Sequence, residues 1–284
     1  MTRGEEVFTI LQSKARSTAS RTGGPAPTQE YLVRHLLESF LDRLIRSEHG
    51  DDFVLKGGIL LAAYGVRRTT KDVDANAINA DVTPEHLTVV VTQLAEVPSD
   101  DGVTFDINSI SIQEIREHAD YPGYRVRVKA SIGPWRCTST WDVSTGDPII
   151  PEPCIVSIDR VLGEPLQLLG YAAETTIAEK AITILERGIT STRWRDYVDI
   201  VRLCHQGFDP HKLRRSAEAV ARYRGVTLEP VSPHLKGHGA IEQAKLAAWR
   251  RKERLEEICE AQLDDQVTFV ARFIDPVFAS TPSD

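Results

Sequence analysis

A chain of 284 residues with 41% apolar and 26% charged residues is long and apolar enough to bury two cores. No apolar run approaches the roughly 20 residues of a membrane span, so a helical membrane protein is excluded and no membrane partner is expected. A formal net charge of −7 argues against a uniformly basic nucleic-acid coat.

The first residues, MTRGEEVFTI, carry acids where a secretion signal needs a basic-then-apolar run, so a cytoplasmic protein is expected. A short N-terminal helix is predicted to give way to a polar, Gly- and Pro-rich loop over 15–27. Leu32, Leu36, Leu37, Phe40, Leu41, Leu44 and Ile45 recur at helical spacing and predict a helix over Gln29–Arg46. Phe53–Leu55 reads as a strand entering a Gly57-Gly58 turn, Ile59–Tyr64 as a short helix and Val73–Ile78 as a strand. Thr83-Pro84-Glu85 opens a helix to about Leu94, with Pro in the first turn. Three strand-like runs follow, Val103–Ile112, Tyr124–Ser131 and Cys137–Val143. The middle run alternates strictly through Arg125-Val126-Arg127-Val128-Lys129, giving one apolar and one basic face. Gly146-Asp147-Pro148 turns the chain, and Cys154–Ile158 and Leu166–Leu169 are short strands. From Thr175 the pattern is helical: Thr175–Arg187, Arg195–His205, Asp209–Tyr223, Ile241–Cys259 and Gln262–Phe278, with a loop over Arg224–Gly239. A mixed α/β half therefore precedes an all-helical half, with the boundary near residue 170. Cys137, Cys154, Cys204 and Cys259 lie far apart without C-x-x-C spacing and read as reduced, buried thiols.

Chemistry concentrates in Phe53–Asp74. Asp72 and Asp74 lie one residue apart on a strand, so both point to one face. Adjacent carboxylates repel, and keeping both ionised calls for a cation. Mg²⁺ suits them, because it takes hard oxygen ligands and leaves positions open for phosphates. Gly57 and Gly58 suit a turn whose N–H groups approach a triphosphate, with Lys56 beside them. Asp142, a lone acid between Trp141 and Val143 at a strand end, reads as the third metal carboxylate and a candidate general base. Lys180, mid-helix between Ala178 and Ala181, is a candidate for the triphosphate. Asp196 and Asp199 share one helix face; Asp196 is expected to orient Lys180 or the acceptor, and Asp199 to pair with Arg195 or Arg202.

Charge is uneven along the chain. Lys180–Arg254 holds sixteen Lys and Arg against eight Asp and Glu, about +8, which leaves the remainder at about −15. Such a half either grips a polyanionic acceptor or presents solvated basic helix faces. Arg193, Arg195, Arg250, Arg251 and Lys252 are the candidate acceptor-binding residues.

A glycine pair, a helix and a strand bearing Asp-x-Asp resemble the nucleotidyltransferase fold of the polymerase-beta type. Lys56-Gly57-Gly58, Arg68-Thr69-Thr70-Lys71-Asp72-Val73-Asp74, Glu174–Lys180 and Arg193–Asp199 together resemble the AbiEii/AbiGii-type nucleotidyltransferase toxins, including the MenT-like toxins. The resemblance spans about Gln29 to Leu203. It implies an N-terminal extension (1–28), a nucleotidyltransferase domain with a mixed sheet (29–170) and a helical domain (171–284) that supplies Lys180 and Asp196 and binds the acceptor. It implies a monomeric toxin of a toxin–antitoxin pair, with its antitoxin encoded nearby. The activity it implies is Mg²⁺-dependent transfer of nucleotides, pyrimidines above all, from an NTP to the 3′ end of tRNA. The competing acceptors are a small molecule or a protein side chain. The family's functional positions fall on Thr70, Asp72, Lys180 and Asp196, and Thr70 is also where some relatives are silenced by phosphorylation. Ile59 stands where many relatives carry Thr.

Overall fold

The computed structural model describes residues 1–80, 82–115, 123–190, 193–253 and 255–279. Arg254, the last cation of the basic stretch, lies outside them. The chain forms two compact units: Met1–Ala63, Arg68–Gly146 and Cys154–Gly170 in the first, Tyr64–Arg67, Asp147–Pro153 and Tyr171–Asp284 in the second.

The first unit begins with α1 (Arg3–Thr22) and α2 (Thr28–Arg46). It continues through β1 (Phe53–Lys56), α3 (Gly57–Leu60), β2 (Val73–Ala77) and α4 (Pro84–Glu96). The remaining strands are β3 (Val103–Glu114), β4 (Gly123–Ile132), β5 (Trp135–Thr145), β6 (Cys154–Ile158) and β7 (Leu166–Gly170). They form one mixed sheet in the order β3-β4-β5-β2-β1-β7-β6. β2 runs parallel to β5 and β1 to β7, while the other neighbours are antiparallel. β4 alternates as its sequence demands, with Val126, Val128 and Ala130 buried and Lys129 exposed. Trp141 of β5 anchors the core, its ring 4.8 Å from Phe53 and 5.4 Å from Phe40.

Helix α1 is longer than its composition predicts. A capping box of Thr2 and Glu5 starts it, and Gly23 in the left-handed conformation ends it. Residues 15–22 are therefore helical rather than looped, because Val7, Leu11 and Ala15 form a buried stripe. Val7 and Leu11 share a core cluster with Leu32, Leu36 and Ile132, so residues 1–28 are packed into this unit.

The second unit is helical: α5 (Ala173–Arg187), α6 (Trp194–Gln206), α7 (Pro210–Arg224), α8 (His238–Lys252) and α9 (Leu263–Ala279). Asp209 caps α7 by accepting from the N–H groups of His211 and Lys212. Helix α8 starts three residues before the expected Ile241 and stops at Lys252 instead of Cys259. The Arg250 guanidinium donates to the carbonyls of Glu256 and Cys259 and folds the following segment into a turn.

No disulfide joins the four cysteines; Cys204 and Cys259 are buried, but Cys154 is exposed, contrary to the expectation for all four. No helix among the described residues is long and apolar enough to cross a membrane.

Candidate active site

Strand register assembles three aspartates. β2 pairs with β5 so that Asp74 faces Asp142 directly, and Asp72, two residues before Asp74, points the same way. One carboxylate oxygen from each of Asp72, Asp74 and Asp142 lies within 4.8 Å of the others. On the far side of β2, Lys56 of β1 sits opposite Asp74.

The glycine pair is the surface against which these acids pack. Gly57 has φ of +67°, and a Cβ there would fall inside the Asp74 carboxylate. A Cβ on Gly58 would stand 2.6 Å from the Thr70 hydroxyl oxygen. The Gly58 N–H donates to the Asp74 carboxylate. The Thr70 hydroxyl donates to Asp72 Oδ1 at 3.1 Å, which puts it on the carboxylate side of the strand.

Burial, reinforced by the negative charges of Asp72 and Asp142, raises the Asp74 carboxyl to about 6, against the pull of Lys56 and the Gly58 N–H. Three acids share one face and concentrate negative charge there. Arg125 of β4 offsets part of it. Its Nε donates to Asp142 Oδ1 at 2.8 Å and its Nη2 to Oδ2 at 2.5 Å, a bidentate pair. Hard, close, mutually repelling oxygen donors are a set that a divalent cation fits, and Asp72, Asp74 and Asp142 are the residues to hold one.

The second unit holds a different arrangement. Lys180 of α5 reaches two acids of α6, with Nζ 2.6 Å from Asp196 and 3.0 Å from Asp199. Arg193 Nε adds a further ion pair, 2.6 Å from the other Asp196 oxygen. Burial acts to raise Asp196, but the Lys180 and Arg193 charges outweigh it and hold the carboxyl at about 2.

The candidate acceptor-binding residues all lie in this unit. Arg195 pairs with Glu253 at 3.2 Å, linking α6 to the end of α8. Arg250 is committed to backbone carbonyls, while Arg251 and Lys252 are exposed. Trp194 and Trp249 stand 5.9 Å apart between ring centres.

Two pairings escaped sequence reasoning, Arg125 with Asp142 and Asp199 with Lys180. Arg125 was visible only as part of an alternating basic face, and its partner depends on the β4–β5 register. Asp199 meets Lys180 through the packing of α5 on α6, which no local spacing encodes.

A family model described as "Nucleotidyl transferase AbiEii toxin, Type IV TA system" matches residues 39–275. No curated protein matches the sequence. Among solved structures, the chain is similar to JHP933 from Helicobacter pylori, with a TM-score of 0.52 and 14% identity over 88% of this chain and 92% of that one. It is also similar to a candidate nucleotidyltransferase from H. pylori, with a TM-score of 0.50 and 13% identity over 88% and 95% of the two chains. At these identities the likeness is one of fold.

Proposed function

The chain belongs to the AbiEii family of nucleotidyltransferase toxins, and on that premise we propose that it adds nucleotides, pyrimidines above all, from an NTP to the 3′ acceptor end of tRNA. The family is one of toxins from toxin–antitoxin systems, so an antitoxin partner follows. The observation that carries the reaction chemistry is the trio of carboxylates within 4.8 Å on adjacent strands beside a glycine turn.

In the proposed reaction the acceptor hydroxyl oxygen attacks the α-phosphorus, the bond to the β-phosphate oxygen breaks, and pyrophosphate leaves. Asp142 takes the hydroxyl proton. Mg²⁺ held by Asp72, Asp74 and Asp142 would offset the phosphate charge and lower the cost of the developing negative charge. Gly57 leaves room for the Asp74 carboxylate, and the Gly58 N–H, which donates to Asp74, holds that carboxylate in place beside the phosphates. Lys180 is assigned to the triphosphate, with Asp196 and Asp199 fixing its ammonium. Arg251 and Lys252, both exposed, are assigned to the acceptor phosphates together with Arg193, Arg195 and Arg250. Phosphorylation of Thr70 would add about −1.5 to −2 charge beside Asp72 and compete with the triphosphate, a route by which the antitoxin silences the enzyme.

The test is purified protein with total tRNA and each NTP separately, with and without Mg²⁺. Lengthening of tRNA with CTP or UTP, only when Mg²⁺ is present, is the expected result. Label appearing on protein or on a small molecule while tRNA stays unchanged would replace the acceptor.

A further inference from the structure

Register places five side-chain positions in one line across the sheet. Gln113 of β3 faces Arg125 of β4, which faces Asp142 of β5, then Asp74 of β2, then Lys56 of β1. Neighbouring strands are about 4.8 Å apart, so the two acids at the centre are flanked by a cation on each side. The flanks differ in kind. Lys56 is a point charge at Asp74, whereas Arg125 grips both oxygens of Asp142 with a planar fork.

We propose that Arg125 is a placeholder cation, holding Asp142 until a divalent ion enters the carboxylate trio and displaces it. The inference rests on reading the trio as a cation site. The Asp142 side chain is 15% exposed and the Arg125 side chain 35% exposed, so the arginine stands on the solvent side of the pair. With both oxygens engaged by Arg125, Asp142 offers an incoming ion only its remaining lone pairs, and two cations on one carboxylate repel. Metal and guanidinium therefore compete for Asp142. In the metal-free protein Arg125 relieves the crowding of like charge that Asp72, Asp74 and Asp142 create.

Mn²⁺ binding to the full-length protein, by titration calorimetry, tests this directly. Arg125→Gln removes the competitor and should bind Mn²⁺ about fivefold tighter or more, the size expected for losing a partly exposed charge-assisted pair. Metal-free Arg125→Gln should melt lower than wild type, and Mn²⁺ should raise its melting temperature by more than it raises that of wild type. In an Asp142→Asn background the same substitution should leave Mn²⁺ affinity unchanged. Arg125→Lys, which keeps the charge but loses the fork, should fall between wild type and Arg125→Gln. If wild type binds Mn²⁺ and Arg125→Gln binds it equally or more weakly, Arg125 is no placeholder, although the cation site stands. If wild type shows no Mn²⁺ binding that Asp74→Asn abolishes, the cation site and the placeholder fall together.

Discussion

In the first unit Asp72, Asp74 and Asp142 crowd together and the Asp74 carboxyl rises to about 6; in the second unit Asp196 and Asp199 share Lys180, and the Asp196 carboxyl falls to about 2. Burial pushes both Asp74 and Asp196 the same way. At Asp74 two neighbouring acids add to the effect of burial, whereas at Asp196 two cations overturn it. Lys180 and Arg193 meet Asp196 and Asp199 in a cluster of mixed charge, whereas the trio sets three acids against one another, with Arg125 and Lys56 at the flanks. Repulsion of that kind is what an arriving cation relieves.

The comparison breaks most visibly at the trio. Asp72→Ala and Asp74→Ala should each lower nucleotide transfer by about 10³-fold or more, because a metal held by the trio would lose one of its three carboxylate ligands. Circular dichroism should show the fold intact, since each change also relieves repulsion. Lys180→Ala should act in the opposite sense on the fold. It removes the ammonium that pairs with both buried acids, Asp196 and Asp199, and should cost about 3 kcal/mol in urea unfolding, along with a large loss of activity. Lys180→Arg should restore little, because a planar fork does not replace a point charge in that position.

Stability against pH sharpens the contrast. Asp74 is raised in the folded state, so its favourable contribution in metal-free protein is complete below about pH 4 and is lost as pH rises through about 6. Asp74→Asn should remove that loss and be the more stable protein above pH 6. Asp196 is depressed, so its contribution is complete above about pH 4 and lost as pH falls toward 2. Asp196→Asn should lose about 2 kcal/mol at pH 7, with the deficit shrinking in acid. Melting temperatures of the two variants and wild type from pH 2.5 to 8 should give slopes of opposite sign. The smallest effect belongs to the surface. Arg251→Glu with Lys252→Glu should weaken tRNA binding without changing NTP binding. The slope of log affinity against log salt should fall by about 0.7 for each phosphate the variant no longer neutralises. Filter binding over a salt series reads it.

Much of this was legible in the sequence, because the decisive features are local. Asp-x-Asp fixes a shared face by strand period alone, and Asp142 was exposed by its place between two apolar residues of a strand. The capping threonine and proline of α4 marked its start within a residue. What escaped was non-local. The polar stretch over 15–22 carries little helix signal, and its helicity follows from α1 packing against the core. The α8 boundary depends on where Arg250 finds its carbonyls. Arg125 reads as surface until β4 is set against β5, and Asp199 reads as a helix salt bridge until α5 brings Lys180 to it.

The central claim is that the carboxylate trio drives transfer of a nucleotide rather than of a phosphoryl group. Incubating the enzyme and total tRNA in parallel with α-³²P- and γ-³²P-labelled NTP, across an Mg²⁺ titration, tests it most directly. The account predicts label in tRNA from the α-phosphate alone, rising with Mg²⁺ and absent from Asp74→Ala. Label arriving from the γ-phosphate, or α-label undiminished in Asp74→Ala, would contradict it.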